Sequence, residues 1–293
     1  TFYREDTTAL AEWAKNLEFP ANTCTYLNIL DTHDGIGLMG VKNILPSEDI
    51  EYLISRAREH GAFISYRTGA GGYDEPYEIN STWYSALNLD SGNEPLAIQI
   101  KRFVASRSIA FVLKGVPGIY LHGLIGTSND VDTVIKTKSK RDINRQIISE
   151  TVLDQELKLP NSKLSQLTQA LGKLLETRVR QRAFHPQGEQ QILRLSHKCF
   201  VVLRIAPDSE EHILTVTNVS NQVCQLEIPL TMLKLNGSKS AMDNTPENNN
   251  YWYDLIGNRG WRVQQQKIFL VLHPYDVVWL VPYVELEKNI ETK

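Results

Sequence analysis

The chain has 293 residues, 42% apolar and 22% charged, with 31 Lys and Arg against 34 Asp and Glu for a formal net charge of −3. These values are ordinary for a globular protein, and the charges are interspersed rather than massed in the basic block that a phosphate backbone needs, so nucleic acid is not an expected partner. Apolar runs such as Ile109 to Val112 fall far short of the roughly 20 residues of a membrane-spanning helix, so no membrane segment is expected either.

The opening residues, Thr1-Phe2-Tyr3-Arg4-Glu5-Asp6, carry neither a basic nor an apolar signal region and read as a chain entered partway through. Cys24, Cys199 and Cys224 are widely spaced and form no CxxC pair, so buried thiols in a reducing, cytoplasmic setting are expected. Thr8 to Leu17 reads as a short helix, and Thr25-Tyr26-Leu27-Asn28-Ile29-Leu30 has the content of a buried strand. That strand runs into Asp31-Thr32-His33-Asp34-Gly35-Ile36-Gly37. Ser47 is placed to cap a helix, because Ile50, Leu53, Ile54 and Ala57 recur at helical spacing behind an acidic first turn. Thr68 to Asn80, rich in glycine and aromatic residues, is expected to be irregular, within a loop excursion over about 40–92.

A helix from about Pro95 to Leu113 stops at Gly115, and Val116-Pro117-Gly118-Ile119-Tyr120-Leu121 follows as a second buried strand. Leu164, Leu167, Leu171, Leu174 and Leu175 mark one face of a further helix ending near Arg182. Beyond Phe184-His185-Pro186 short strands take over, among them Gln191 to Leu195, Phe200 to Ile205, His212 to Thr217 and Phe269 to Leu272, with an Asn-rich loop at Asn244 to Asn250. The expected fold class is α/β: the C-terminal part of a (β/α)8 barrel over residues 1–183, then a small antiparallel β domain over 184–293. A complete barrel of this kind takes about 250 residues, so the barrel is incomplete in this chain.

Three stretches carry candidate chemistry. The first is Asp31 to Gly37, where a strand ends in two carboxylates, an imidazole and flexible glycines, as barrel active sites do. There Asp34 would stabilise positive charge developing on a sugar ring and His33 would donate to a hydroxyl; a simple turn is the equal alternative. The second, Tyr73 to Tyr84, interleaves aromatic faces with hydrogen-bonding groups, which suits carbohydrate, although taken alone it is better read as an aromatic-rich loop packing on the domain. The third is a loop at Lys136 to Arg145, whose lysines read as solvated surface while Arg141 and Arg145 are kept as binders of a carboxylate, phosphate or hydroxyl pair. His122 follows the second strand and either lines the pocket or is structural. No zinc-spaced cluster, GxSxG, Walker or dinucleotide motif occurs.

Together these stretches resemble the sucrose phosphorylase group of glycoside hydrolase family 13. The resemblance is carried by Leu30-Asp31-Thr32-His33-Asp34-Gly35-Ile36-Gly37, Ile79-Asn80-Ser81-Thr82-Trp83-Tyr84-Ser85-Ala86-Leu87, Gly115-Val116-Pro117-Gly118-Ile119-Tyr120 and Arg141-Asp142-Ile143-Asn144-Arg145. It implies that Asp34 is the transition-state-stabilising aspartate with His33 as its partner, that Arg141 grips a distal hydroxyl of the glucosyl ring, and that Tyr77 and Glu78 meet the acceptor or phosphate. His122 and Arg145 are further substrate-binding candidates.

It also implies cleavage of an α-glucoside by inorganic phosphate as co-substrate, with no metal or other cofactor. The aspartate nucleophile and glutamic acid/base of such enzymes match nothing in this sequence, so the chain alone is expected to be inactive and to need the upstream half of the barrel as a partner. A homodimer is left open. Glu78 stands where a dedicated sucrose phosphorylase is expected to carry glutamine, which points toward relatives acting on sucrose 6-phosphate, glucosylglycerate or glucosylglycerol, and toward a neutral polyol unless a cation compensates the carboxylate. The alternatives are a carbohydrate-binding remnant without catalysis and a hydrolase of the same family.

Overall fold

The computed structural model describes residues 1–21, 23–69, 71–89, 92–235 and 251–283. In chain order α1 (Thr8–Lys15) precedes β1 (Leu27–Ile29), β2 (Ile36–Gly37), α2 (Ser47–Glu59), β3 (Phe63–Thr68), β4 (Asp74–Asn80), α3 (Trp83–Leu87), α4 (Leu96–Val112), β5 (Val116–Gly118), α5 (Leu121–Ile125), α6 (Val131–Thr137), α7 (Glu150–Leu157) and α8 (Lys163–Arg180). Strands follow: β6 (Glu189–Ser196), β7 (Cys199–Ile205), β8 (His212–Asn218), β9 (Cys224–Pro229), β10 (Tyr251–Asp254), β11 (Arg259–Gln264), β12 (Lys267–Leu272) and β13 (Val277–Pro282). Two compact units result, one of Thr1–Asn28, Ala105–Pro117 and Gly172–Lys293, the other of Ile29–Val104 and Gly118–Leu171.

The first unit is built on an eight-stranded sheet in the order β6-β7-β8-β13-β10-β11-β12-β9, antiparallel in every neighbouring pair. Its edges are tied where Gln191 on β6 donates to the Met232 carbonyl, 2.8 Å, and Lys234 N donates back to Gln191, 3.2 Å. Strands β9 and β12 alternate buried and exposed residues, as a sheet with one wet face does. By contrast β7 and β8 are buried at every position. Their second face is covered within the same unit: Trp279 on β13 stacks on Phe184, 4.8 Å between centroids, and its indole N–H reaches Ser108 Oγ at 3.4 Å. Arg204, fully buried on β7, donates to the carbonyls of Val112 and His185 at 2.8 Å and of Glu189 at 3.2 Å, and burial pushes its guanidinium down to about 9.

The second unit holds a three-stranded sheet, β2-β4-β3, against which α2 sets Ile54 and Ala57 to form a small core with Leu38, Ile64 and Ile79. The irregular excursion expected over Thr68 to Asn80 is corrected here: Asp74–Asn80 is a strand paired with β3. Its alternation is masked by a shift of register, Ser65 facing Glu78 while Tyr66 faces Pro76, which leaves Tyr77 as a bulge. Ser47 opens α2 without capping it, because the residue before the helix is Pro46 in extended conformation.

The two strands expected to be buried core are also corrected. Among the described residues β1 and β5 pair only with each other, and Leu27 and Val116 are 65% and 42% exposed. A two-stranded ladder provides none of the covering that a closed barrel gives its inner face. The second strand ends at Gly118, so Leu121 and His122 begin α5, and the supposed loop at Lys136 to Arg145 is the end of α6 plus a 3-10 turn over Lys140–Asn144. Cys199 and Cys224 are buried as expected and Cys24 is exposed. The Asn-rich loop at Asn244 to Asn250 lies outside the described residues.

Candidate functional site

Every residue of the site belongs to the second unit. The turn Asp31 to Gly35 follows β1, and Thr32 Oγ1 accepts the Asp34 amide at 3.1 Å. Gly35 lies so close to β4 that a Cβ there would sit 2.4 Å from the Ile79 carbonyl oxygen and 2.6 Å from Glu78 Cγ. Any side chain would push the turn away from the strand that carries Glu78.

Asp34 presents Oδ1 to three cations or potential cations: Arg141 Nη1 at 3.1 Å, Arg145 Nη2 at 3.2 Å and His33 Nε2 at 3.7 Å. Arg141 also forks onto Glu78, Nε to Oε1 at 3.2 Å and Nη2 to Oε2 at 2.9 Å. One guanidinium therefore joins the two carboxylates, and the hydrogen bonds and charge of Glu78 raise Arg141 above its ordinary value. Glu78 is buried, and Asn80 donates to its Oε1. Tyr77 occupies the bulge beside it, its carbonyl accepting from Leu38 N at 2.8 Å.

The segment carrying the arginines is tied to the Asp34 turn by its backbone as well. Asn144, fully buried, donates through Nδ2 to the carbonyls of Thr32 at 2.6 Å and Asp34 at 3.2 Å. Arg145 Nε takes the intervening His33 carbonyl at 2.8 Å. Tyr120 in turn donates its hydroxyl to the Asn144 carbonyl at 3.0 Å, and burial raises its phenol above the usual range. His122 stacks near Tyr120, 5.1 Å between ring centroids, with Nδ1 3.0 Å from Thr127 Oγ1. Burial lowers its imidazole below the ordinary value, opposed by Asp31, so it is neutral at pH 7.

Of the residues singled out in the sequence, Asp34, His33, Arg141, Arg145 and Glu78 thus converge on one bonded cluster, with Tyr77 adjoining it. His122 makes its polar contact with Thr127 instead. Asn144, Tyr120 and Asn80 were not singled out, although each lies inside one of the motifs that carry the resemblance; an uncharged side chain gives no chemical signal until its partners are known. Among the described residues no group of three or more His, Cys, Asp or Glu is arranged to hold a metal ion, and no helix is long and apolar enough to cross a membrane. The cluster offers a carboxylate held by two guanidiniums, able to face a developing positive charge, next to hydrogen-bonding groups of both signs.

No family profile matches the chain. It is 32% identical over 285 residues to a glucosylglycerate phosphorylase of Spirochaeta thermophila, covering 96% of this chain and 46% of that protein. A glucosylglycerate phosphorylase of Escherichia coli is 27% identical over 94% of the chain and 45% of its own length. Among solved structures, sucrose 6F-phosphate phosphorylase from Thermoanaerobacter thermosaccharolyticum superposes with a TM-score of 0.60 at 24% identity, over 75% of this chain and 41% of that one. The fold class is accordingly the C-terminal part of a (β/α)8 barrel followed by an antiparallel β domain. The chain spans about half the length of the curated relatives it matches, and it is a homologue of the sucrose phosphorylase group of glycoside hydrolase family 13.

Proposed function

We propose that this chain is part of a retaining α-glucoside phosphorylase that moves a glucosyl group between a sucrose-like glucoside and inorganic phosphate, giving α-glucose 1-phosphate and the free acceptor. The observation that carries the reading is Asp34 held between Arg141 and Arg145, in a chain whose relatives bear phosphorylase names. In this reading Asp34 faces the positive charge that spreads over the ring carbon and oxygen as the glycosidic bond breaks. His33 donates to a ring hydroxyl, Arg141 grips a distal one, and Tyr77 and Glu78 meet the acceptor or phosphate, with His122 and Arg145 as further binding groups.

The nucleophilic carboxylate and the acid/base, which retaining enzymes hold about 5–5.5 Å apart, belong to an upstream half of the barrel, and this chain without it is inactive. Residues 1–183 are the barrel portion and 184–293 the β domain. The reaction takes place in the cytoplasm and uses no metal or organic cofactor.

Glycerate is the acceptor this reading favours. A bare carboxylate at Glu78 would disfavour an anionic acceptor, but Arg141 forks onto it and removes that objection. Three of the relatives are named glucosylglycerate phosphorylase.

The test is phosphate release from glucose 1-phosphate with glycerate, glycerol, fructose or fructose 6-phosphate offered, by this chain alone and by the chain supplied with an upstream barrel half. The expected result is silence from the chain alone and release with glycerate from the complemented protein. Release by the chain alone would show that the missing carboxylates are misassigned. Release that needs no acceptor would make the protein a hydrolase, and sugar binding without any turnover a binding remnant.

A further inference from the structure

We propose that Asn144, braced by Tyr120, is the positioning residue that fixes the Asp34 turn, which together with Arg145 it holds by three consecutive backbone carbonyls. The proposal rests on the reading of Asp34 as the stabiliser of a cationic sugar ring.

Asp34 is 38% exposed in its side chain, and its partners Arg141 and Arg145 are 41% and 37% exposed. Ion pairs between such groups hold their geometry weakly, because water screens them and long side chains resist immobilisation. A carboxylate that must meet a developing charge to within a fraction of an ångström needs a firmer support. The backbone supplies it. The carbonyls of Thr32, His33 and Asp34 are taken in turn by Asn144 Nδ2, Arg145 Nε and Asn144 Nδ2 again.

A carboxamide nitrogen has two N–H donors, and both carbonyl contacts of Asn144 lie on that nitrogen, which also fixes which way the amide points. Its Oδ1 is buried without a hydrogen-bond donor among the described residues, so the polar contacts of the side chain are those of its nitrogen. Ile143 beside it is fully buried, and the Tyr120 hydroxyl holds the Asn144 carbonyl. On the opposite side the turn is stopped by the contact of Gly35 with β4. The turn is thereby clamped between two elements, with the Asp34 side chain projecting from the clamped segment.

Asn144→Asp tests this at constant size, replacing the donor by an oxygen that faces two carbonyl oxygens. Tyr120→Phe, which removes only the brace, is the second variant in case the first does not fold. Amide hydrogen exchange of the full chain is read at residues 32–37 and at β7 and β8 as an internal reference. Binding of a cationic iminosugar and of neutral glucose is read by ligand-observed NMR.

The expected result is exchange at 32–37 faster by about tenfold in Asn144→Asp and about threefold in Tyr120→Phe, with β7 and β8 unchanged. Iminosugar affinity should fall about tenfold further than glucose affinity. Unchanged exchange at 32–37 in both variants overturns the latch. Faster exchange with equal loss of the two ligands overturns its role in positioning Asp34 and leaves a merely structural bond. If neither ligand binds even to the wild-type chain supplied with an upstream barrel half, the glucosyl-site reading fails, and the exchange result still decides the latch.

Discussion

Arg141 serves two carboxylates in unlike surroundings, so replacing each of them in turn separates the contribution of burial from that of charge. Glu78 is 7% exposed in its side chain and Asp34 38%. In Glu78→Gln the remaining Oε1 can keep Arg141 Nε and Asn80 Nδ2, but the new amide nitrogen then faces Arg141 Nη2, donor against donor. A charge-assisted hydrogen bond contributes about 1.5–3 kcal/mol, and the exposure of Arg141 discounts the loss to about 1–2 kcal/mol. Asp34→Asn breaks pairs whose members are all more than a third exposed, for which the expected cost is below about 1 kcal/mol.

For a folded unit of this size each kcal/mol moves the melting midpoint by about 2–4 °C, so calorimetry resolves the two variants. Glu78→Gln should melt about 2–8 °C lower and Asp34→Asn nearly unchanged. In about 1 M salt, where the screening length is about 3 Å, the small Asp34→Asn difference should vanish while most of the Glu78→Gln difference persists. A Glu78→Gln variant that melts at or above the wild type, or below which Asp34→Asn falls, would refute the ranking by burial.

Asp254 is buried, with Oδ1 accepting the Trp279 and Ile256 amides, and desolvation holds its carboxyl above the usual carboxylate value of 3.8. A raised folded-state value means that the stability it contributes is full at low pH and is lost as pH rises through that raised value. Asp254→Asn should therefore gain on the wild type between pH 4 and pH 7, and a pH-independent difference in melting midpoint would contradict this. Arg204→Met removes its hydrogen bonds to the carbonyls of Val112, His185 and Glu189, of which His185 keeps the Gly188 amide, while relieving a buried charge, for an expected net loss of about 2–4 kcal/mol in denaturant titration. Gly115 has φ +131° and would bring a Cβ to 2.8 Å from the Tyr26 carbonyl oxygen, so Gly115→Ala should cost about 2–4 kcal/mol. Gly172 lies in α8 where, among the described residues, no atom beyond its own helix backbone comes within 4 Å of the place a Cβ would take, so Gly172→Ala should instead stabilise by about 0.5–1 kcal/mol in the same titration.

What was legible in the sequence followed from local patterning. The runs Phe200 to Ile205 and His212 to Thr217 read as strands because apolar and β-branched residues dominate them, and both lie in strands buried at every position. Helix α8 read clearly because leucines recur on one face while the other is polar. The hairpin β3–β4 did not read, since Gly69 to Gly72 and Pro76 mimic a loop and the bulge at Tyr77 interrupts the alternation. Strands β9, β10, β11 and β13 are not named either. β13 is fixed by pairing with β8 and β10 at long range, a constraint that no window of sequence contains, whereas β10 and β11 form a local hairpin in which Asp254 faces Arg259. At the site the charged residues were legible as types, but the sharing of Arg141 between Asp34 and Glu78 depends on a turn, a strand and a 3-10 segment brought together by folding.

That sharing bears on how the site would accept a sugar. A guanidinium has five N–H donors. Nε and one N–H of Nη2 point to Glu78, and Nη1 lies 3.1 Å from Asp34, which leaves one further N–H on each terminal nitrogen. A sugar hydroxyl can therefore bond to Arg141 without displacing either carboxylate. Were the ion pairs to break first, the cost of separating them would be taken from binding in the ground state and the transition state alike. On the proposed reading they persist, so the negative charge of Asp34 would stay in place and its interaction with substrate would grow only as positive charge develops on the ring. Arg141 acts on this reasoning as a fixed strut with spare donors, so Arg141→Lys, a point charge without the fork, should lose the Glu78 geometry even where it keeps the charge.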